Sequence, residues 1–167
     1  YHPMDKLLDR QKSIQKKLVK RHLDNGCLVL YDITNSWFEG EYKNSEIVDY
    51  GLGKGGKRGY KQISIGLITD KRGCPVATEV FNGKTSDQMT VREQAERLAA
   101  EYGVKEVIFT GDRGMLTPKR IEEVTEQGFK TLTALTHPQI RTLLEKDIIQ
   151  PDLFDEQEIA EVYDPER

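Results

Sequence analysis

Two aspartates stand where apolar runs end. Leu28, Val29, Leu30 and Tyr31 lead into Asp32, and Val107, Ile108 and Phe109 lead through Thr110-Gly111 into Asp112. Desolvating a carboxylate is costly unless it is paired or binds a metal. Such a residue therefore either caps a backbone group, as Asp at strand ends commonly does, or holds a cation. Two carboxylates brought to one sheet edge are the start of a two-metal site for phosphoryl transfer. Runs this apolar, rich in β-branched and aromatic residues, predict central strands buried on both faces.

The elements around the aspartates can bring them together. Leu7, Gln11, Ile14, Leu18 and His22 recur at helical spacing, with Leu8 and Val19 widening the stripe, which predicts a helix over residues 4–24. Its other face carries Lys6, Arg10, Lys16, Lys17 and Lys20, either a solvated face or a DNA-facing arm. Asn25-Gly26 ends it. Strands are predicted over 27–34, 62–69 and 75–81, with Asp70-Lys-Arg-Gly73 as a hairpin loop and Pro75 at a strand's first position. These three form an antiparallel meander. A helix then runs from Ser86 or Asp87 to Tyr102, with Val91, Ala95, Leu98 and Ala99 on one face and Gly103 as its stop. The next strand, 106–110, follows a helix and so can lie parallel to the first. Asp32 and Asp112 then converge at one edge.

Thr117 and Pro118 suit the N-cap and first turn of another helix, with Leu116 and Ile121 as a hydrophobic staple. A strand over 129–135 and a helix over 138–146 follow, then an acidic stretch.

Composition sets the class. With 167 residues, 37% hydrophobic and 32% charged, the chain is one globular domain with a thin core and a polar surface. A net charge of −3 gives no global basic signature, so nucleic-acid binding requires a local patch. Lys54, Lys57, Arg58, Lys61, Lys71 and Arg72 supply one. Cys27 and Cys74 show no CxxC or Cys/His spacing of the kind that marks a zinc site, and read as small strand hydrophobes. His22 reads as a helix-face residue and His137 as a turn residue. No segment reads as a signal peptide or membrane span, which makes a cytoplasmic setting the expectation. The chain starts at Tyr1 and ends at Asp164-Pro-Glu-Arg167, and reads as a piece of something longer.

The glycine-rich loop Gly51-Leu-Gly-Lys-Gly-Gly-Lys-Arg-Gly59 approaches two nucleotide-binding patterns. Arg58 stands where a P-loop needs its metal-binding hydroxyl. The segment that follows, 61–68, alternates like a strand, whereas both patterns must open a helix. A basic loop contacting phosphates through backbone N–H groups, lysines and arginines fits better. Trp37 and Phe38 are expected to pack on the sheet rather than stack on a frayed base.

The element order resembles the ribonuclease H-like fold of polynucleotidyl transferases: an N-terminal helix, three antiparallel strands, then helix, strand, helix, strand in a mixed α/β sheet. The motifs narrow the match. Tyr31-Asp-Ile-Thr34 with Trp37-Phe38, and Phe109-Thr-Gly-Asp-Arg-Gly-Met115, resemble the two aspartate motifs of DDE transposases of the IS4-like class, in particular its IS1634-type branch. Gly59–Leu67, Pro75–Ser86 and Leu153-Phe-Asp-Glu156 are similar to the same branch.

The resemblance implies that Asp32 and Asp112 are catalytic and hold two divalent ions, Mg²⁺ or Mn²⁺, with Arg113 and Thr34 near the phosphate. It implies DNA as partner, both transposon ends and target, met by Lys54, Lys57, Arg58, Lys61 and Arg113. It implies a homo-oligomer, no membrane, and a nucleoid-associated setting. The family's third ligand, a Glu on a later helix in a Tyr–Arg–Glu–Lys pattern, has no counterpart here. Glu156, Glu158 and Glu161 precede its place, so the fold is expected to be truncated and the fragment weak or inactive by itself. The expected organisation is a helix (1–25), a partial catalytic core (26–136) and an acidic segment (137–167). Two alternatives stand beside this one. The first is another ribonuclease H-like nuclease or resolvase. The second is a non-catalytic DNA-binding module working through residues 53–72.

Overall fold

A computed structural model describes residues 2–51 and 59–149. The chain divides into two compact units, Tyr1–Thr133 and Ala134–Arg167.

The first unit opens with α1, His2–His22, whose last turn places Lys20, Arg21 and His22 at the negative end of the helix dipole. Gly26 turns the chain at φ 75°, a conformation that favours glycine. Strand β1 is Cys27–Phe38, β2 is the short Asp49–Tyr50, β3 is Lys61–Asp70 and β4 is Pro75–Asn82. Helix α2 is Asp87–Glu96 and continues as a π-turn over Arg97–Glu101. Strand β5, Val107–Thr110, helix α3, Pro118–Glu126, and strand β6, Lys130–Leu132, complete the unit.

Strand β3 is flanked by β1 on one side and by β4 and β2 on the other, all antiparallel. On its far side β1 pairs in parallel with β5, and β5 with β6. An antiparallel meander extended by two parallel strands, each reached through a helix, is the ribonuclease H-like arrangement that the sequence pattern led us to expect.

Three details differ from that expectation. The first strand runs on to Phe38 rather than Thr34, because β3 pairs with it along its length, from Val29↔Asp70 to Phe38↔Lys61. The long helix after the meander is α-helical only to Glu96. Tyr102 N–H then reaches back to Arg97 O at 3.1 Å, an i−5 bond that widens the last turn. Finally, β1 is not buried on both faces. Val29 and Tyr31 are buried while Leu30 and Asp32 are exposed, the period-2 pattern of a sheet packed on one side.

The packed side is the core. Val29, Tyr31, Ile68, Val107 and Phe109 cluster with Val91 and Ala95 of α2, Leu98 of the π-turn and Val124 of α3. Burying each such side chain contributes roughly 1.5–3 kcal/mol. Tyr31 stacks tilted on Phe109, with ring centroids 5.8 Å apart, and its hydroxyl donates to Thr90 Oγ1 at 2.8 Å. Gly66 makes room for this ring, since a Cβ there would stand 2.7 Å from the Tyr31 hydroxyl.

Helix α1 is fastened at its middle by polar bonds. The buried Gln15 donates from Nε2 to Thr78 O at 2.8 Å, and its Oε1 accepts from the Tyr102 hydroxyl at 2.6 Å and from Arg97 at 3.1 Å. Arg97 also pairs with Glu79 at 2.5 Å. The lysine-rich face of α1 is exposed.

Thr117 stands at the N-cap of α3 without a side-chain cap bond, and Pro118 occupies its first turn. In the second unit, α4 spans His137–Glu145 and starts with a capping box between Thr136 and Gln139. The acidic stretch after residue 149 lies outside the described residues.

Candidate functional site

The parallel register fixes where the two aspartates stand. Leu30 of β1 is the Cα partner of Thr110, the last residue of β5. Asp32 and Asp112 each lie two residues further along neighbouring chains that run in the same direction. The chains are still adjacent one residue earlier, where a Cβ on Gly111 would sit 3.6 Å from Tyr31 O. Both aspartates are exposed at this edge.

The loop bearing Asp112 is held from below. Asp112 O accepts from Met115 N–H at 2.9 Å and Leu116 N–H at 3.0 Å, and the side chains of both are buried. Gln88 Nε2 donates to Gly114 O at 3.1 Å, and Thr133 Oγ1 donates to Gly111 O at 3.0 Å. The Gly111–Met115 block is thus a turn anchored by Met115 and the following Leu116, with Asp112 and Arg113 exposed.

Asp32 accepts the N–H of Ile33 on Oδ1 at 2.8 Å. Among the described residues neither aspartate forms an ion pair, which leaves two hard oxygen donors of the kind that Mg²⁺ and Mn²⁺ take. Also among the described residues, no cluster of three or more His, Cys, Asp or Glu ligand atoms includes either aspartate. Thr34 is exposed two residues beyond Asp32.

Among the described residues, the basic stretch is represented at the two ends of β3. Lys61 starts β3, where its Nζ donates to Glu41 O and lies 5.7 Å from the Tyr50 ring centre. Lys71 and Arg72 follow the other end of β3. At roughly 3.3 Å per residue of extended chain, Lys71 is ~30 Å from Lys61. Lys54, Lys57 and Arg58 lie outside the described residues. Trp37 is 41% exposed, so packing covers only part of it.

One cluster was not legible in the spacing. His22 at the end of α1, Asp70 at the end of β3 and Cys74 in the β3–β4 turn place a nitrogen, an oxygen and a sulfur within 4.8 Å of one another. Asp70 is the cross-strand partner of Val29, so it faces the core side, opposite to Asp32. The N–H of Cys74, then that of Arg72 and its guanidinium, hold the Asp70 carboxyl below the usual carboxylate range against the opposing effect of burial. The signal that could have found this cluster is the hairpin Asp70-x-x-x-Cys74, whose closure turns two residues in sequence towards one point.

A mixed sheet with one carboxylate inside β1 and another two residues past the parallel neighbour β5 is the ribonuclease H-like arrangement. Residues 25–164 match the transposase DDE domain family, and the chain belongs to it. No curated protein matches the sequence. Among solved structures, piggyBac transposase in a synaptic complex with hairpin DNA is similar at 14% identity and a TM-score of 0.49, over 77% of this chain and 27% of that one. A chain of the simian T-cell lymphotropic virus intasome in complex with the PP2A regulatory subunit B56 gamma is similar at 10% identity and a TM-score of 0.38, over 92% of this chain and 59% of that one. The chain therefore spans about a quarter of the first of these and under two thirds of the second. No helix among the described residues is long and apolar enough to cross a membrane.

Proposed function

We propose that this chain is the catalytic-core portion of a DDE transposase of the IS4-like class, in which Asp32 and Asp112 hold two divalent ions for DNA strand cleavage and strand transfer. The observation that carries the reading is the register, which sets the two carboxylates two residues beyond the paired Leu30 and Thr110. Family membership supports it.

When bound, Mg²⁺ or Mn²⁺ supplies the Lewis acidity for in-line displacement at phosphorus. The residues do the rest. Asp32, oriented by its bond to Ile33 N–H, would offer its remaining oxygen to a divalent ion. Asp112 is presented by a turn already anchored through Met115 and Leu116, so little ordering is required when substrate arrives. Arg113, exposed beside it, meets the phosphate, and Lys54, Lys57, Arg58 and Lys61 hold DNA further along. The third carboxylate comes from outside the described residues, and the working enzyme is a homo-oligomer acting on transposon ends and target DNA at the nucleoid. The fragment alone is weak or inactive.

The test is Asp112→Asn in the full-length protein, with nicking of end-bearing DNA and gel-shift binding measured together. Nicking is expected to vanish while binding persists. Nicking at the wild-type rate overturns the reading, and binding in both proteins that falls steeply with salt but is indifferent to magnesium, with no nicking in either, points to a DNA-binding module instead.

A further inference from the structure

The cluster on the core side of the sheet has no role in the chemistry above. His22 Nδ1 is buried and has no hydrogen-bond partner, although its side chain is only 20% exposed. It lies 3.5 Å from Asp70 Oδ2. That separation is too long for a charge-assisted hydrogen bond, which closes to ~2.7–2.9 Å. It does match two ligands of one tetrahedral ion, since metal bonds of ~2.0–2.3 Å place such ligands roughly 3.3–3.7 Å apart.

Asp70 is 3% exposed, and its Oδ1 already accepts from Arg72 N–H at 2.8 Å and Cys74 N–H at 2.9 Å. Its Oδ2 accepts weakly from the Arg72 guanidinium, at 3.3–3.4 Å, and that side chain is 68% exposed. An exposed arginine is displaced at little cost. Cys74 is a free thiol that completes the trio.

We propose that His22 Nδ1, the Asp70 carboxylate and the Cys74 thiolate bind one zinc-class transition-metal ion, which fastens the end of α1 to the β3–β4 hairpin. Imidazole, thiolate and a single carboxylate form a set that selects Zn²⁺ or Co²⁺ over Mg²⁺. Three protein ligands leave the fourth position to water. Binding releases the thiol proton and adds its free energy to folding, because no such site exists in the unfolded chain. The site is separate from Asp32, which faces the other side of the sheet.

The test is a Co²⁺ titration of the chain in excess Mg²⁺, reading the thiolate-to-cobalt charge-transfer band, with zinc affinity measured by chelator competition. One ion per chain is expected. Cys74→Ser should abolish the band and weaken binding by more than the ~10–100-fold that loss of an outer-shell partner costs. Cys27→Ser and Asp32→Asn should leave both unchanged, since Cys27 is not among the clustered ligands. Circular dichroism establishes that each variant is folded. An undiminished band in Cys74→Ser, a band lost in Cys27→Ser, or no band in the folded wild type overturns the proposal. The Asp32→Asn result keeps it distinct from the nuclease site.

Discussion

Val29 and Leu30 are neighbours in β1 and sit in different environments. Val29 is wholly buried against Phe109 and the helices, while Leu30, one residue on, is 37% exposed on the side that carries Asp32. The same division runs through β3, where Ile68 is buried and Leu67, the cross-strand partner of Asp32, is exposed. One face of the sheet is committed to holding the fold together. The other presents polar chemistry on a strand that the first face keeps rigid. The pleat thus lets a carboxylate follow directly on a core tyrosine without itself being desolvated.

The sharpest way to break this comparison is to remove volume from the committed face. Phe109 is fully buried and packs on Tyr31. Phe109→Ala is expected to cost about 3–5 kcal/mol, a large share of the ~5–15 kcal/mol that holds an ordinary domain. Urea denaturation measures it, and a loss below ~1 kcal/mol would mean that the core lies elsewhere.

A smaller effect tests the polar contact inside the same face. Tyr31→Phe removes the hydroxyl bond to Thr90 and should cost about 1 kcal/mol. Thr90 keeps its own bond to Asp87 O at 2.7 Å, which limits the loss. Burial raises the Tyr31 pKa, against the smaller opposite effect of the Thr90 bond. The folded state therefore holds its proton above the unfolded value of about 10. The stability Tyr31 contributes is full below that pH and is lost as pH rises towards the folded value. Wild type should lose stability faster than Tyr31→Phe on the alkaline side of pH ~10, and parallel curves would count against a buried tyrosine.

Much of the division was readable in the residues. Helical spacing located α1 and α2, and the turn residues Asn25-Gly26 and Asp70-Lys-Arg-Gly73 located the meander. The apolar runs located β1 and β5. The runs misled only in suggesting that both faces are covered, because Leu30 continues a pattern whose alternation shows up in burial and not in hydrophobicity. The parallel pairing of the strands that carry the aspartates was legible because each aspartate follows an apolar run and a helix lies between the strands. The His22–Asp70–Cys74 trio was not, since its members come from a helix end and two sides of a hairpin turn. The bonds of Gln15 and Arg97 that lock α1 against β4 were equally hidden, as nothing in a helix stripe marks a glutamine that will be buried.

The smallest expected effect lies on the open face, and it is the one that decides whether that face is open in solution. Leu30→Thr puts a β-branched residue in a strand, where threonine fits well. It removes apolar surface that already touches water in part, next to Thr69 and Thr110 across the sheet. The change should stay within about 0.5 kcal/mol, as surface substitutions do. Val29→Thr, one residue away, puts a hydroxyl into the core and should cost about 1–3 kcal/mol. If the two variants cost the same, and Leu30→Thr exceeds ~2 kcal/mol, the value for burying a leucine fully, then Leu30 is covered in solution. Asp32 would then stand at the margin of a second packed layer rather than on an exposed edge.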